Sequence, residues 1–324
     1  MKNIDVHSHM LPTDSIHELS GEILPMGDGN LYNIKVNGKS VQPMTKGFFD
    51  LNARNEELAK MEVDAQIISP THHLYFYSSS LEIAQKTSRI QNNGISRVCR
   101  KEPDRFFGNA TLPLQDSKAA VKEMERAYSD LGMKGIEIGT NIGGKNLDDE
   151  SLYPVYEKAQ ELELPIFVHP NDFLGPERLA KYYMGIVVGT IAETTIAVTS
   201  LLFGGVYNKF PKLRMIFCHG GGAIPYQVGR LKRAVSIRNE LKGANVDVDR
   251  SLGTNVFFDT VVFDAPSLNF LVNNTGVDNV LLGTDYPFNM GNWNSVKQVE
   301  TDSNFSDSFK NKILVENARK LYKI

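Results

Sequence analysis

The sequence predicts a (β/α)8 barrel with a small β insertion after its first strand. Three observations lead there. Short, nearly continuous apolar runs alternate eight times with longer amphipathic stretches along the 324 residues. Neither glycine-rich signature of a nucleotide-binding doubly wound sheet follows any of these runs. Histidines and an aspartate stand directly after several runs, where a barrel places its active site.

The expected strands are Asn3–Val6, Ala65–Ser69, Phe106–Ala110, Gly135–Ile138, Leu164–Val168, Leu213–Cys218, Val256–Asp259 and Val280–Leu282. Their unbroken apolar character suits parallel strands covered on both faces. Helical periodicity fills the intervals over Ala53–Met61, Ser80–Arg100, Ser117–Leu131, Leu152–Leu162, Ala192–Asn208, Pro225–Glu240 and Pro266–Asn274, and Ser306–Tyr322 follows the last strand. One segment, 13–49, is too long for a simple βα loop. Within it Leu31-Tyr32-Asn33-Ile34-Lys35-Val36 alternates and Asn37-Gly38 offers a tight turn, so 13–49 is expected to form a small β insertion over the barrel mouth. Residues 1–324 are then a single barrel domain, since such barrels exceed the usual domain length of about 150 residues.

An apolar share of 41% and a charged share of 23% suit a packed globular chain. The 38 acids against 35 bases leave a net charge of −3, which offers no electrostatic case for nucleic acid or an anionic membrane. The two cysteines, Cys99 and Cys218, lack zinc-motif spacing and suit a reducing compartment. No run approaches the roughly 20 apolar residues of a bilayer span, and Met1-Lys2-Asn3-Ile4-Asp5 has no signal-like apolar stretch. A cytoplasmic enzyme is expected.

The chemistry lies at the strand ends. Strand one runs into His7-Ser8-His9, and alternate residues of an extended chain point the same way, so both imidazoles can face one point. Strand five ends in His169-Pro170, strand six in His219-Gly220-Gly221-Gly222 and strand eight in Asp285-Tyr286-Pro287. Any one of these could merely cap the next helix. Five at four strand ends point instead to a metal-assisted reaction, with His7, His9, His169 and Asp285 holding one ion and His219 free for proton transfer. Lys134 precedes strand four and so stands at the wrong end to bridge two metals; one ion is favoured. The His-Gly-Gly-Gly run is also the oxyanion-hole pattern of esterases, but no G-x-S-x-G elbow accompanies it, so its glycines are expected to let the backbone approach the metal pocket closely. His72 and His73 follow strand two at the correct end of the barrel.

Together these blocks resemble the amidohydrolase-related decarboxylases. The similarity runs over nearly the whole chain and is carried by Ile4–Pro12, Arg105–Gln115, Ala120–Arg126, Ala192–Ala197, His219–Gly222 and Leu282–Phe288. It implies a mononuclear site with zinc, or manganese, on His7, His9, His169 and Asp285, no organic cofactor, and His219 as the catalytic histidine. It further implies substrate contacts from Arg54 and Phe288, and from Arg238 of a neighbouring subunit, hence a homodimer that binds a small-molecule carboxylate. Two expected pocket tryptophans are replaced, by Asn171 and near Ile186, and His72 and His73 stand where apolar residues are expected. The substrate wall thus departs from the family while the ligand set does not. The expected activity is non-oxidative decarboxylation of a carboxylated muconate semialdehyde or related aromatic acid. The alternative is hydrolysis of an amide, ester or lactone by the same site.

Overall fold

The computed structural model describes residues 2–36, 38–242 and 245–324. Eight strands pair in chain order, every pairing parallel: β1 (Ile4–His9), β2 (Ala65–Ser69), β3 (Phe106–Ala110), β4 (Gly135–Gly139), β5 (Ile166–His169), β6 (Met215–Phe217), β7 (Val256–Asp259) and β8 (Val280–Leu281). Backbone bonds from Val6 N to Leu282 O at 2.9 Å and from His9 N to Tyr286 O at 2.8 Å join the last strand region to the first and close the barrel. The predicted fold class is therefore the observed one.

Eight helices alternate with the strands: α1 (Leu51–Lys60), α2 (Leu81–Lys101), α3 (Ser117–Ser129), α4 (Tyr153–Glu161), α5 (Thr190–Phe203), α6 (Ile224–Ile237), α7 (Ala265–Thr275) and α8 (Asn317–Tyr322). Several start on side-chain caps that satisfy an otherwise free amide: Asp50 accepts from Ala53 N at 3.0 Å, Asp116 from Ala119 N at 2.8 Å and Asp264 from Ser267 N at 2.8 Å. α5 continues a turn of π-helix, and together Gly185–Phe203 form a 19-residue helix that is long and apolar enough to cross a membrane. This corrects the expectation that no segment approaches such a span. Its residues Ala197, Val198, Leu201 and Leu202 pack into the barrel core, and Glu193 is buried on the same helix.

Strand one is longer than its apolar run suggests, because His7, Ser8 and His9 continue the ladder. Its register with β2 slips by one residue between Asp5 and Ser8, a bulge that re-aims side chains just where the histidines lie. The buried Asp5 carboxylate locks this stretch. It accepts from His7 N at 2.9 Å, Gln66 Nε2 at 2.7 Å and Thr284 Oγ1 at 2.6 Å, and so ties β1 to its neighbours on both sides.

The insertion holds a short helix, Thr13–Glu18, and a three-stranded antiparallel sheet of Glu22–Met26, Leu31–Val36 and Lys39–Met44. Val36 pairs with Lys39 across the expected turn, of which Asn37 lies outside the described residues. Both flanking strands carry a proline, Pro25 and Pro43, which an edge strand tolerates because its outer amides need no ladder partner. Ile16, Ile34, Val36, Val41 and Phe48 form a separate small core beneath this sheet.

Candidate active site

At the C-terminal end of the barrel, His7 and His9 from β1, His169 from β5 and Asp285 from the segment after β8 converge. One ligand atom from each lies within 4.8 Å of the others, and all four residues are buried. His7 Nε2 is 3.2 Å and His9 Nε2 3.5 Å from Asp285 Oδ1. Among the described residues, His7 Nε2, His9 Nε2, His169 Nε2 and Asp285 Oδ1 have no hydrogen-bond partner. Buried polar atoms without partners are costly, and four of them facing one point are the arrangement that a cation satisfies. The residues therefore fit a single divalent ion held by three imidazoles and one carboxylate, a donor set suited to zinc or manganese.

The other ring nitrogens are occupied, which fixes each imidazole. His7 Nδ1 meets Asp259 Oδ2 at 2.6 Å, His9 Nδ1 faces Pro70 O at 3.3 Å and His169 Nδ1 faces Pro170 O at 2.9 Å. Asp259 is held in turn by Gly220 N at 2.9 Å and Val261 N at 3.1 Å. Sequence reasoning missed Asp259 as a site residue; its position as the last residue of an apolar strand, Val256-Phe257-Phe258-Asp259, is the signal that could have found it. Glu137, in the middle of β4, was missed too. It is fully buried, accepts from the Tyr75 hydroxyl and lies 3.8 Å from His9 Nδ1.

The electrostatics follow from this crowding. Burial pushes the His169 imidazole well below its ordinary range, and the charges of His9 and His7 push the same way, so it stays neutral and free to ligate. Burial disfavours a charged His7, but the Asp285 and Asp259 carboxylates outweigh it and hold the ring well above its usual range. Asp285 is buried as well, yet the positive charge of His7 and the close approach of His219, His7 and His9 keep it well below the usual carboxylate range. A second possible ligand set, His169, Cys218 and His219, fits less well, because burial raises the Cys218 thiol well above its ordinary value and a thiol must ionise to ligate.

His219 stands beside the cluster, its Nε2 3.5 Å from Asp285 Oδ2. Burial opposes its protonation, but the bond to Asp285 and the charges of Asp285 and Asp259 raise the imidazole overall. Its backbone is left-handed, with φ 54° and ψ 45°, and three glycines with positive φ follow. Of these glycines, Gly220 brings its amide to Asp259, the carboxylate that holds His7, while Gly221 and Gly222 are pressed against neighbouring elements. A Cβ on Gly221 would sit 2.3 Å from Phe258 Cδ1, and one on Gly222 would sit 2.6 Å from Ile191 O. The close approach is to β7 and α5, which anchor the turn that aims His219.

A cavity of about 1060 Å³ opens above the cluster, bounded by the insertion, the loops after β2 and β5, and the residues after Asp285. His72, His73, Asn171, Ile186 and Phe288 all line it. Phe288 packs 5.1 Å from His9, and His72 stacks on His169 at 4.2 Å and 17°, both between ring centroids. Neither predicted arginine reaches this cavity within the chain. Arg54 is wholly buried: its Nε donates to Gly47 O at 3.1 Å, its terminal nitrogens donate to Gln66 Oε1 and His9 O, and its guanidinium lies 4.7 Å from the Tyr286 ring centre. It braces the backbone of His9 instead of facing a substrate, because its donors are taken up by Gly47, Gln66 and His9. Arg238 sits exposed at the C-terminal end of α6, where Glu240 Oε1 accepts from its Nε at 2.8 Å.

The amidohydrolase family profile matches residues 4–324. The 2-amino-3-carboxymuconate-6-semialdehyde decarboxylase of Dictyostelium discoideum is 33% identical over 322 residues, 97% of this chain and 90% of that protein. Among solved structures, Metarhizium anisopliae IDCase in apo form superposes with a TM-score of 0.87 at 22% identity, covering 99% of this chain and 97% of that one. The 5-carboxyvanillate decarboxylase of Novosphingobium aromaticivorans, complexed with manganese and 4-hydroxy-3-methoxy-5-nitrobenzoic acid, gives 0.82 at 24% identity, covering 100% of this chain and 96% of that one.

Proposed function

The chain belongs to the amidohydrolase family, and from that premise we propose that it is a metal-dependent, non-oxidative decarboxylase of a carboxylated muconate semialdehyde or related aromatic acid. The carrying observation is the set of four unpartnered ligand atoms at the strand ends with His219 beside them. His7, His9, His169 and Asp285 would hold one divalent ion; zinc is our first assignment and manganese the alternative. When bound, such an ion polarises an oxygen of the substrate and stabilises negative charge that develops there.

The chain's own residues supply the rest. Phe288 and the stacked His72 lie beside the cluster and give the cavity wall an aromatic face on which a conjugated acid can rest. Loss of carbon dioxide breaks a C–C bond and leaves its electron pair on carbon. A proton must then reach that carbon, and His219 is the group that carries it, from Nε2. Asp285 keeps a proton available on that ring by raising its affinity.

Several finer readings belong with this proposal. We take residues 1–324 as one barrel unit with 13–49 as its inserted part. Arg238 cannot reach its own cavity and is assigned to the site of a second copy in a homodimer. Apolar side chains exposed along one side of the barrel, Tyr182 at 87%, Val187 at 56% and Tyr226 at 78%, suit such a contact. Cys99 and Cys218 are unpaired thiols, in keeping with a cytoplasmic enzyme.

The test is an assay of the purified protein on conjugated and aromatic acids, following carbon dioxide and, separately, acid released by hydrolysis. Carbon dioxide release that disappears with the metal in His169→Ala and Asp285→Ala supports the reading. Acid release without carbon dioxide, or full activity in metal-free protein, overturns it.

A further inference from the structure

α5 carries a buried carboxylate that the proposed chemistry does not use. Glu193 is 5% exposed, and its hydrogen-bond partners are all neutral. Its Oε1 accepts from Leu174 N at 2.8 Å, in the loop after β5. Its Oε2 accepts from Thr140 Oγ1 at 3.2 Å and from Asn141 Nδ2 at 3.1 Å, in the loop after β4. These three donors offset the cost of burying the charge. One side chain thus ties two loops at the cavity end of the barrel to the helix that follows β5.

The same helix holds the β5 loop by packing. Gly185 and Gly189 bound the π-turn that leads into α5, and Glu193 follows at the same spacing of four. Residues four apart lie near one side of a helix. A Cβ on Gly185 would sit 3.1 Å from Phe173 Cε2, and one on Gly189 would sit 3.0 Å from Phe173 Cγ and 3.1 Å from Leu179 Cδ1. The bare backbone therefore seats the Phe173 ring, while Glu193 binds the amide of the next residue, Leu174. Phe173 and Tyr183, near the two ends of this loop, both line the cavity. The loop also needs an anchor, because Tyr182 and Tyr183 have φ of 60° and 61°, a conformation that bulky residues adopt only when their surroundings impose it.

We infer that Glu193 is a positioning residue for the substrate. By holding Leu174 it keeps Phe173 on the glycine seat, and so fixes the wall that residues 171–184 give the cavity. Without it the wall moves, while His219 and the four ligand atoms, to which Glu193 makes no hydrogen bond among the described residues, stay in place. The anchoring itself does not depend on the decarboxylase reading above; only the kinetic part of its test rests on that reading.

The experiment is hydrogen exchange, read by mass spectrometry, on the zinc-loaded wild type, Glu193→Gln and Gly189→Ala. Glutamine keeps the shape of glutamate but turns an NH2 group toward Leu174 N or Asn141 Nδ2, both of which are donors. Gly189→Ala leaves the bonds of Glu193 in place and crowds only the seat; with φ −61° there, alanine fits the backbone and favours the helix. In both variants the amides of residues 171–184 should exchange about tenfold faster or more, while those of β1 and β8 stay as in wild type and the zinc content stays near one ion per chain. On an acid that wild type decarboxylates, KM should rise about tenfold and kcat stay within about twofold. Faster exchange throughout the chain, unchanged loop exchange in either variant, loss of zinc, or a fall in kcat at constant KM would overturn the inference. Loop-confined exchange in the variants of a protein that releases no carbon dioxide sinks the decarboxylase reading and leaves the anchoring of the cavity wall standing.

Discussion

His7 Nδ1 lies 2.6 Å from Asp259 Oδ2, with both side chains wholly buried. The contact fixes the imidazole so that Nε2, and not Nδ1, faces the ligand cluster. Carboxylate partners of metal-ligating histidines are worth about 10–100-fold in metal affinity. Asp259→Asn should therefore weaken metal binding by about that factor while keeping the four ligand residues, and chelator competition would read it. An affinity equal to wild type would remove Asp259 from the orienting role.

His219 makes a contrasting case. It approaches Asp285 but is not needed to complete the four-atom ligand set. His219→Ala should retain close to one ion per chain, measured by elemental analysis, while turnover falls about 10²–10⁴-fold, the usual worth of a positioned proton donor. Loss of metal in parallel with activity would make His219 a ligand.

How much of this was legible in the sequence divides along physical lines. The strand-end histidines were readable because β strands alternate and barrels expose their C-terminal ends, so position along the chain implies direction. Arg54 was misread because its chemistry is the same whether it grips a substrate or a backbone carbonyl; only packing shows its donors turned to Gly47, Gln66 and His9. Asp259 and Glu137 were hidden for a related reason. A charged residue in a short apolar strand reads as a strand terminus or a defect until its partner from a distant strand is known. The edge strand Glu22–Met26 was missed because Pro25 breaks the pattern, although an edge tolerates it.

The buried charges also set a pH dependence for metal uptake. In the metal-free chain the folded pKa of His7 is raised above 6.5 by Asp285 and Asp259, and that of Asp285 is lowered below 3.8. The stabilisation from protonated His7 is complete below its unfolded value and is lost as pH rises through the raised one. That from ionised Asp285 is present above 3.8 and is lost as pH falls through the lowered value. Between 3.8 and 6.5 the pair is intact, so a proton on His7 competes with the ion there. Metal affinity should rise about tenfold per pH unit for each proton displaced, through the range from 3.8 past 6.5 and up to the raised value of His7. Calorimetry in buffers of different ionisation enthalpy counts the protons. No proton release at pH 6.5, or affinity that falls as pH rises, would contradict this account.

The remaining prediction concerns Arg238. It ends α6, a helix that begins just after the His219 turn and carries 14 residues away from it, about 20 Å at 1.5 Å per residue. A substrate contact from this side chain therefore requires a second copy, arranged so that each chain completes the other's site. His219→Ala and Arg238→Ala should each be nearly inactive as pure homodimers. In a mixed dimer one site then combines both lesions, while the other has His219 from one chain and Arg238 from its partner, both wild type. Activity approaching half of wild type per mixed dimer is the expected outcome. If Arg238 served its own chain, each site of the mixed dimer would keep one lesion and no activity would return. Absence of recovery in verified mixed dimers, or a fully active monomer, would remove Arg238 from the site and leave its pairing with Glu240 as its whole role.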